Sequence, residues 1–177
     1  MGNTGSRSFE EEWERTLGST DSQQPDDVPE RPSRNCAEHC IGINATVDKV
    51  WQLVGDFAGW ERWNPLYVQT SGTAQVGETV HFTVSLEGMK PQKGSATVTA
   101  VKPPSLLEYQ TRAFGGLVKA SRYIEIRPLG ADRCTVLNGE HMGGLLGWLV
   151  YLAAGEKVRL GMKGMNEALK ALAENKS

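Results

Sequence analysis

The chain predicts an α+β domain in which a curved antiparallel β-sheet wraps around one long C-terminal α-helix, with two short helices after the first strand. Three observations carry that expectation. From Tyr67 to about His141, apolar and polar residues alternate with the period of two that marks strands with one covered face. On either side of this stretch, over 46–63 and 145–175, apolar residues recur at helical spacing. The strand segments follow one another as a meander, so the terminal helix is left to cover their apolar face.

The first strand runs over 37–43, with Ala37, His39, Ile41 and Ile43 on one face. Asn44 or Thr46 can cap the next helix, because a side-chain oxygen there accepts from a free first-turn amide. Val47, Val50, Trp51 and Val54 share the face of that helix expected to be buried. A second short helix covers 57–63. Pro65 ends it, since the residue before a proline disfavours the α region. Val80, Phe82, Val84 and Leu86 then alternate with His81, Thr83 and Ser85, and another strand over 95–101 closes at Pro103-Pro104. Leu107, Tyr109, Thr111 and Ala113 alternate with Glu108, Gln110 and Arg112, and Gly115-Gly116 signals a hairpin. Val118, Ala120, Arg122, Ile124 and Ile126 face one way in the following strand. Gly130 turns the chain into the last one, over about 132–141. Leu145, Trp148, Leu149, Leu152, Met162, Met165, Leu169 and Leu172 form the expected buried stripe of the long helix. Gly147, Gly155, Gly161 and Gly164 interrupt it, each at a cost of about 1 kcal/mol relative to alanine. They fit a lid-like helix that adjusts to a ligand, and equally a helix that is merely weakened.

The 177 residues suffice for one domain with a substantial core. Charge is nearly balanced, 19 Lys+Arg against 21 Asp+Glu, so nucleic acid is not an expected partner. No apolar run reaches the roughly 18–20 residues of a spanning helix, and the N-terminus lacks the apolar stretch of a secretory signal. Cys36, Cys40 and Cys134 have no framework spacing and read as free thiols of a reducing compartment, so the expected location is cytoplasmic.

Residues 1–35 are polar and are expected to be mostly disordered, with an extended linker over 25–32. Residues 36–177 are expected to form the globular domain. Two features stand out in the tail. Gly2 followed by Ser6 fits a myristoylation pattern; if Gly2 is acylated, one chain gives weak, reversible membrane association. Ser8 and Glu11 make a capping box, and Phe9, Trp13 and Leu17 form one apolar stripe over 8–17. That stripe reads as a docking helix for a protein partner or for the domain itself, or as a frayed segment.

Several residues carry a family likeness: Ile43-Asn44-Ala45 before Val50-Trp51, Asp56 ahead of Trp60-Glu61-Arg62-Trp63-Asn64-Pro65, Gly77 before the Val80 strand, and Glu140-His141-Met142-Gly143-Gly144 before the long helix. With the order of elements, they make about 38–174 resemble the helix-grip fold of the START-like/Bet v 1-like (SRPBCC) superfamily, in particular its polyketide cyclase/dehydrase branch. The resemblance implies a deep cavity between sheet and C-terminal helix that holds lipids, polyketides, sterols or other apolar molecules. It transfers no catalytic set and implies no cofactor.

Arg122 is the sharpest internal candidate. It shares a face with Val118, Ala120, Ile124 and Ile126, and a buried arginine must be paired. Asn138 and Glu140 continue the Cys134 and Val136 register on the next strand and can meet it. The functional reading is a polar anchor for a ligand carboxylate, carbonyl or hydroxyl. The alternatives are a structural salt bridge or a one-residue slip that leaves Arg122 in solvent. Tyr109 and Thr111 offer hydroxyls on the inner face of their strand. Trp60 and Trp63 wall the cavity mouth or pack the helix pair. Phe82, Met142, Leu149, Met162 and Met165 are further wall candidates, methionine being an adaptable lining. No metal site is expected: Cys36 and Cys40 face one way on a strand and His39 the other. His141 beside Glu140 is weighed as an acid/base pair, against the same alternation.

The leading expectation is a non-catalytic binder or carrier of an apolar small molecule. A cyclase/dehydrase-type enzyme using the same cavity is the second, with Glu140, Tyr109 and His141 as its acid/base candidates. A protein-interaction module recruited through the tail is the third.

Overall fold

In the computed structural model, which describes residues 34–175, seven strands form one antiparallel sheet. They are β1 Cys36–Ile43, β2 Tyr67–Ser71, β3 Thr79–Val84, β4 Gln92–Lys102, β5 Leu106–Ala113, β6 Val118–Gly130 and β7 Arg133–Gly143. Their order across the sheet is β1-β7-β6-β5-β4-β3-β2. From β2 to β7 the sheet is a meander, and β7 closes it against β1. The chain crosses from one edge to the other through helix α1, Val47–Gly55, and a 3-10 helix, Phe57–Arg62. The sheet curls into a half-barrel around α2, the 28-residue helix Gly147–Glu174. The helix-grip fold is therefore as the sequence predicts, with the second short helix wound more tightly. The readings for Gly2, for the Phe9, Trp13 and Leu17 stripe and for the extended linker lie outside the described residues.

Local chemistry sets the boundaries. Thr46 caps α1, its hydroxyl accepting from the Lys49 amide at 3.2 Å. Val50 and Val54 of α1 are fully buried. At the other end of the crossover, the Trp60 indole N–H is shared between the carbonyls of Leu53 and Val54, at 3.2 and 3.1 Å. That ties the 3-10 helix to the last turn of α1. Asn64 then turns the chain into β2: its side-chain oxygen accepts from the amides of Leu66 and Tyr67, at 3.0 and 3.1 Å.

Register places the polar residues. Val98, Tyr109, Arg122, Glu140 and Ala37 lie directly opposite one another across β4, β5, β6, β7 and β1. A second row, Thr111, Ala120 and Met142, runs beside it, two residues along each strand. A third, Leu107, Ile124, Asn138 and His39, runs on the other side. The period of two therefore puts three polar side chains of the central row on the face that α2 covers.

The helix departs from expectation at its N-terminal end. Leu145, Trp148, Leu149 and Leu152 are exposed; Leu145 and Leu152 are 76% and 78% accessible. Val150, Ala154 and Val158 take their place inward, in line with buried Met162, Met165, Leu169 and Ala173. The sequence reading chose the largest apolar residues. The structure turns smaller ones toward the sheet. A Cβ on Gly147 would lie 2.3 Å from the Met142 carbonyl oxygen, and one on Gly161 would lie 2.8 Å from a Leu66 methyl. Glycine at these two positions lets α2 settle against the end of β7 and against the segment leading into β2.

Candidate ligand cavity

Between the sheet and the N-terminal half of α2 lies a cavity of about 250 Å³. Its apolar wall comes from three places: Phe82, Val84 and Leu86 on and after β3, Ala120 and Met142 on the central strands, and Val150, Ala154 and Val158 on α2. Thr111 adds a hydroxyl, though this one already donates to the Ser95 carbonyl at 3.1 Å. Leu86 lies beyond the end of β3 but still reaches the wall.

One end of the cavity is polar and is built by Arg122, Glu140, Tyr67 and Tyr109. The Arg122 side chain is 4% exposed. Its Nε–H donates to Asn138 Oδ1 at 3.1 Å and an Nη1–H donates to Glu140 Oε2 at 3.1 Å. An Nη2–H points at the soft Met165 sulfur at 3.9 Å, and the guanidinium carbon lies 5.4 Å from the centre of the Tyr67 ring. Burial alone would push the Arg122 pKa down, but the phenols of Tyr67 and Tyr109 and the Glu140 carboxylate more than reverse this. The group is a permanent cation. The Tyr109 hydroxyl donates to the Tyr67 hydroxyl at 3.2 Å. Burial raises the pKa of both phenols, most for Tyr109, so both are neutral donors at physiological pH.

The polar end continues behind the wall. Asn138 Nδ2–H donates to Asn166 Oδ1 at 3.2 Å, and Asn166 Nδ2–H donates to the His39 carbonyl at 2.9 Å. Asn138 and Asn166 are both fully buried. A single hydrogen-bonded chain thus links Arg122, β7, α2 and β1. It fixes the guanidinium from behind and satisfies groups that would each cost about 1–3 kcal/mol if left unpaired.

The structure brings Arg122, Tyr109, Thr111, Glu140, Phe82 and Met142 to the cavity wall. It places the other candidates elsewhere. Asn138 stands behind Arg122 as a positioning group. Met165 underlies Asn138, and Met162 packs with Ala37, Met142 and Val158. Trp60 is buried in the core against Phe57, Tyr67 and Tyr109, and half-buried Trp63 packs against that core, so neither forms the cavity mouth. Leu149 faces outward, one position out of phase with Val150. His141 alternates with Glu140 along β7, so the two side chains leave opposite faces of the sheet.

Tyr67 and Asn166 went unread in the sequence. Tyr67 follows the Asn-Pro turn at the very start of a five-residue strand, and a register shift between Tyr67 and Gln69 separates it from the pairing of the residues after it. Asn166 was detectable as the lone amide beside Met165 in the apolar stripe of the long helix.

A curled antiparallel sheet, one long helix across it and an apolar hollow with a buried ion pair define a START-like helix-grip domain. The chain belongs to the family described as polyketide cyclase / dehydrase and lipid transport, whose profile matches residues 36–174. Family and fold together imply a hydrophobic ligand-binding cavity. No functionally curated protein matches the chain. Among solved structures, it is similar to the di-domain ARO/CYC protein BexL of the BE-7585A biosynthetic pathway, with TM-score 0.63 and 18% identity over 79% of this chain. This chain spans only 48% of that protein's length. Norcoclaurine synthase from Thalictrum flavum, in complex with dopamine and hydroxybenzaldehyde, gives TM-score 0.62 and 18% identity, covering 88% of this chain and 99% of that one. A START superfamily protein from Mycobacterium smegmatis gives TM-score 0.62 and 18% identity, covering 78% of this chain and 97% of that one. Identities this low establish the shared fold. Among the described residues, no helix is long and apolar enough to cross a membrane.

Proposed function

We propose that this protein binds and carries an apolar small molecule in the cavity between the sheet and α2, with its polar end held by Arg122 and the tyrosine pair. The observation that supports this is an apolar hollow left unfilled beside a polar cluster that is already fixed from behind. Its volume of about 250 Å³ is just below the ~300–1,000 Å³ of drug-sized sites. That suits a small ligand, or the polar head of a longer one whose tail leaves through the mouth. The test is native mass spectrometry of the purified full chain, with organic extraction of whatever is released. One apolar molecule per chain is the expected result. A chain that arrives empty and also takes up neither an uncharged apolar dye nor a sterol would remove the reading.

A second reading, a cyclase/dehydrase-type enzyme, is favoured by the family match and by phenolic donors able to polarise a carbonyl. Its proton-handling groups would be Tyr109 and Glu140. Turnover of a poly-β-ketone substrate that is lost in Tyr109→Phe, with dye binding retained, would establish it over the carrier reading.

A further inference from the structure

The polar end of the cavity holds one cation and one anion. Arg122 contributes the positive charge and Glu140, 3.1 Å away and 16% exposed, the negative one. Tyr67 and Tyr109 contribute hydroxyls and no charge. An apolar pocket ending in a buried arginine invites a fatty acid, but this arginine's charge is already balanced. A carboxylate entering here would leave a net negative charge in a low-dielectric space, beside the Glu140 carboxylate. A neutral oxygen meets no such penalty, and the pocket offers it donors. Tyr67 Oη accepts from Tyr109, and among the described residues nothing accepts the Tyr67 proton in turn. Arg122 likewise has two of its five N–H bonds without an acceptor among the described residues.

We infer that the cavity selects uncharged amphiphiles carrying a ketone, ester or alcohol oxygen, received by the Tyr67 hydroxyl and the spare Arg122 N–H groups, and that Glu140 turns free carboxylates away. The inference rests on the carrier reading above and deepens it. It gives Glu140 the role of a specificity residue and not of a ligand anchor. Tyr67 is the donor and Tyr109 the group that orients it. Asn64, through its bonds to the Leu66 and Tyr67 amides, fixes where the Tyr67 ring enters the wall.

The experiment is competition against a bound, uncharged apolar dye on the full chain at neutral pH. The competitors are 2-undecanone, methyl decanoate, 1-decanol and decanoate, matched in chain length. The neutral compounds are expected to displace the dye at concentrations about tenfold or more below decanoate, a difference of about 1.4 kcal/mol or more. Glu140→Gln, which removes the anion and keeps a hydrogen-bond acceptor, is expected to tighten decanoate about tenfold and leave 2-undecanone within about twofold. Tyr67→Phe is expected to weaken 2-undecanone about five- to tenfold more than it weakens the dye, which offers the hydroxyl no acceptor oxygen. Decanoate binding as tightly as its methyl ester to the unaltered chain would overturn the inference and leave the carrier reading standing. That measurement needs no variant to fold. Failure of the dye and of every competitor to bind would overturn both.

Discussion

The two halves of the concave face are built differently on one sheet. Toward the C-terminal end of α2, Met165, Leu169 and Ala173 belong to one packed cluster with Val50, Val54, Phe57, Trp60, Ile124, Ile126 and Val136. Toward the N-terminal end, Val150 and Ala154 face Ala120, Phe82 and Val84 across the hollow, while Leu145, Trp148 and Leu152 of the same helix point to solvent. The Arg122, Asn138, Asn166 and His39 chain runs along the border. The packed half supplies stability and holds the polar groups still. The hollow half is left open between sheet and helix, beside a smaller buried cluster of Ala37, Met142, Val158 and Met162. Sequence hydrophobicity misleads here: the more apolar end of the helix is the end that buries less.

Four predictions break or sharpen that contrast, from the largest expected effect to the smallest. Arg122→Leu strands the Glu140 carboxylate and Asn138 at the border and should destabilise the fold by about 3–5 kcal/mol in urea denaturation. The double variant Arg122→Leu/Glu140→Leu should recover most of that loss, because both charges leave together. In the packed half, Leu169→Ala should cost about 2–5 kcal/mol. Val150→Ala, beside the hollow, should cost less than about 1 kcal/mol, since no closed cavity is created where space already exists. Equal costs would mean that the hollow is filled by rearrangement in solution.

Filling the space tests the other half of the comparison. Ala120→Phe projects a ring into the cavity and should abolish dye uptake while moving the unfolding midpoint by no more than about 1 kcal/mol equivalent. Retained dye binding would place the ligand elsewhere. The smallest effect is a pH dependence. Burial pushes the thiols of Cys40 and Cys134 up from 9.0 to about 11. Between those values the unfolded chain loses protons that the folded one keeps, so stability falls as pH rises from about 9 to about 11. Replacing both residues by alanine should reduce that slope in a denaturation series, leaving the part that the buried phenols of Tyr67 and Tyr109 contribute above about pH 10, and an unchanged slope would mean that the thiols already ionise in the folded state.

Periodicity and punctuation in the chain determined the architecture. Alternation over 80–141 gave the meander and its inner face. Helical spacing gave both helices, and Thr46, Pro65 and Gly130 marked where elements begin and end. That inner face already contained Arg122, Glu140, Tyr109, Thr111, Phe82 and Met142, because strand parity is strictly local and a single register error would have moved all of them together. Tertiary structure alone decided the rest. Whether Arg122 meets Glu140 or Asn138 depends on the register between β6 and β7, which no local pattern encodes. Which side of α2 faces inward depends on how closely the helix can approach. The backbone at Gly147 and the side chains facing Gly161 set that distance, and at the N-terminal end the residues with the greatest hydrophobicity are left outside. Tyr67 enters the site through a turn held by Asn64, and Asn166 through a helix crossing two strands. Both are placed by contacts between segments far apart in the chain, so their roles become visible only when those segments meet.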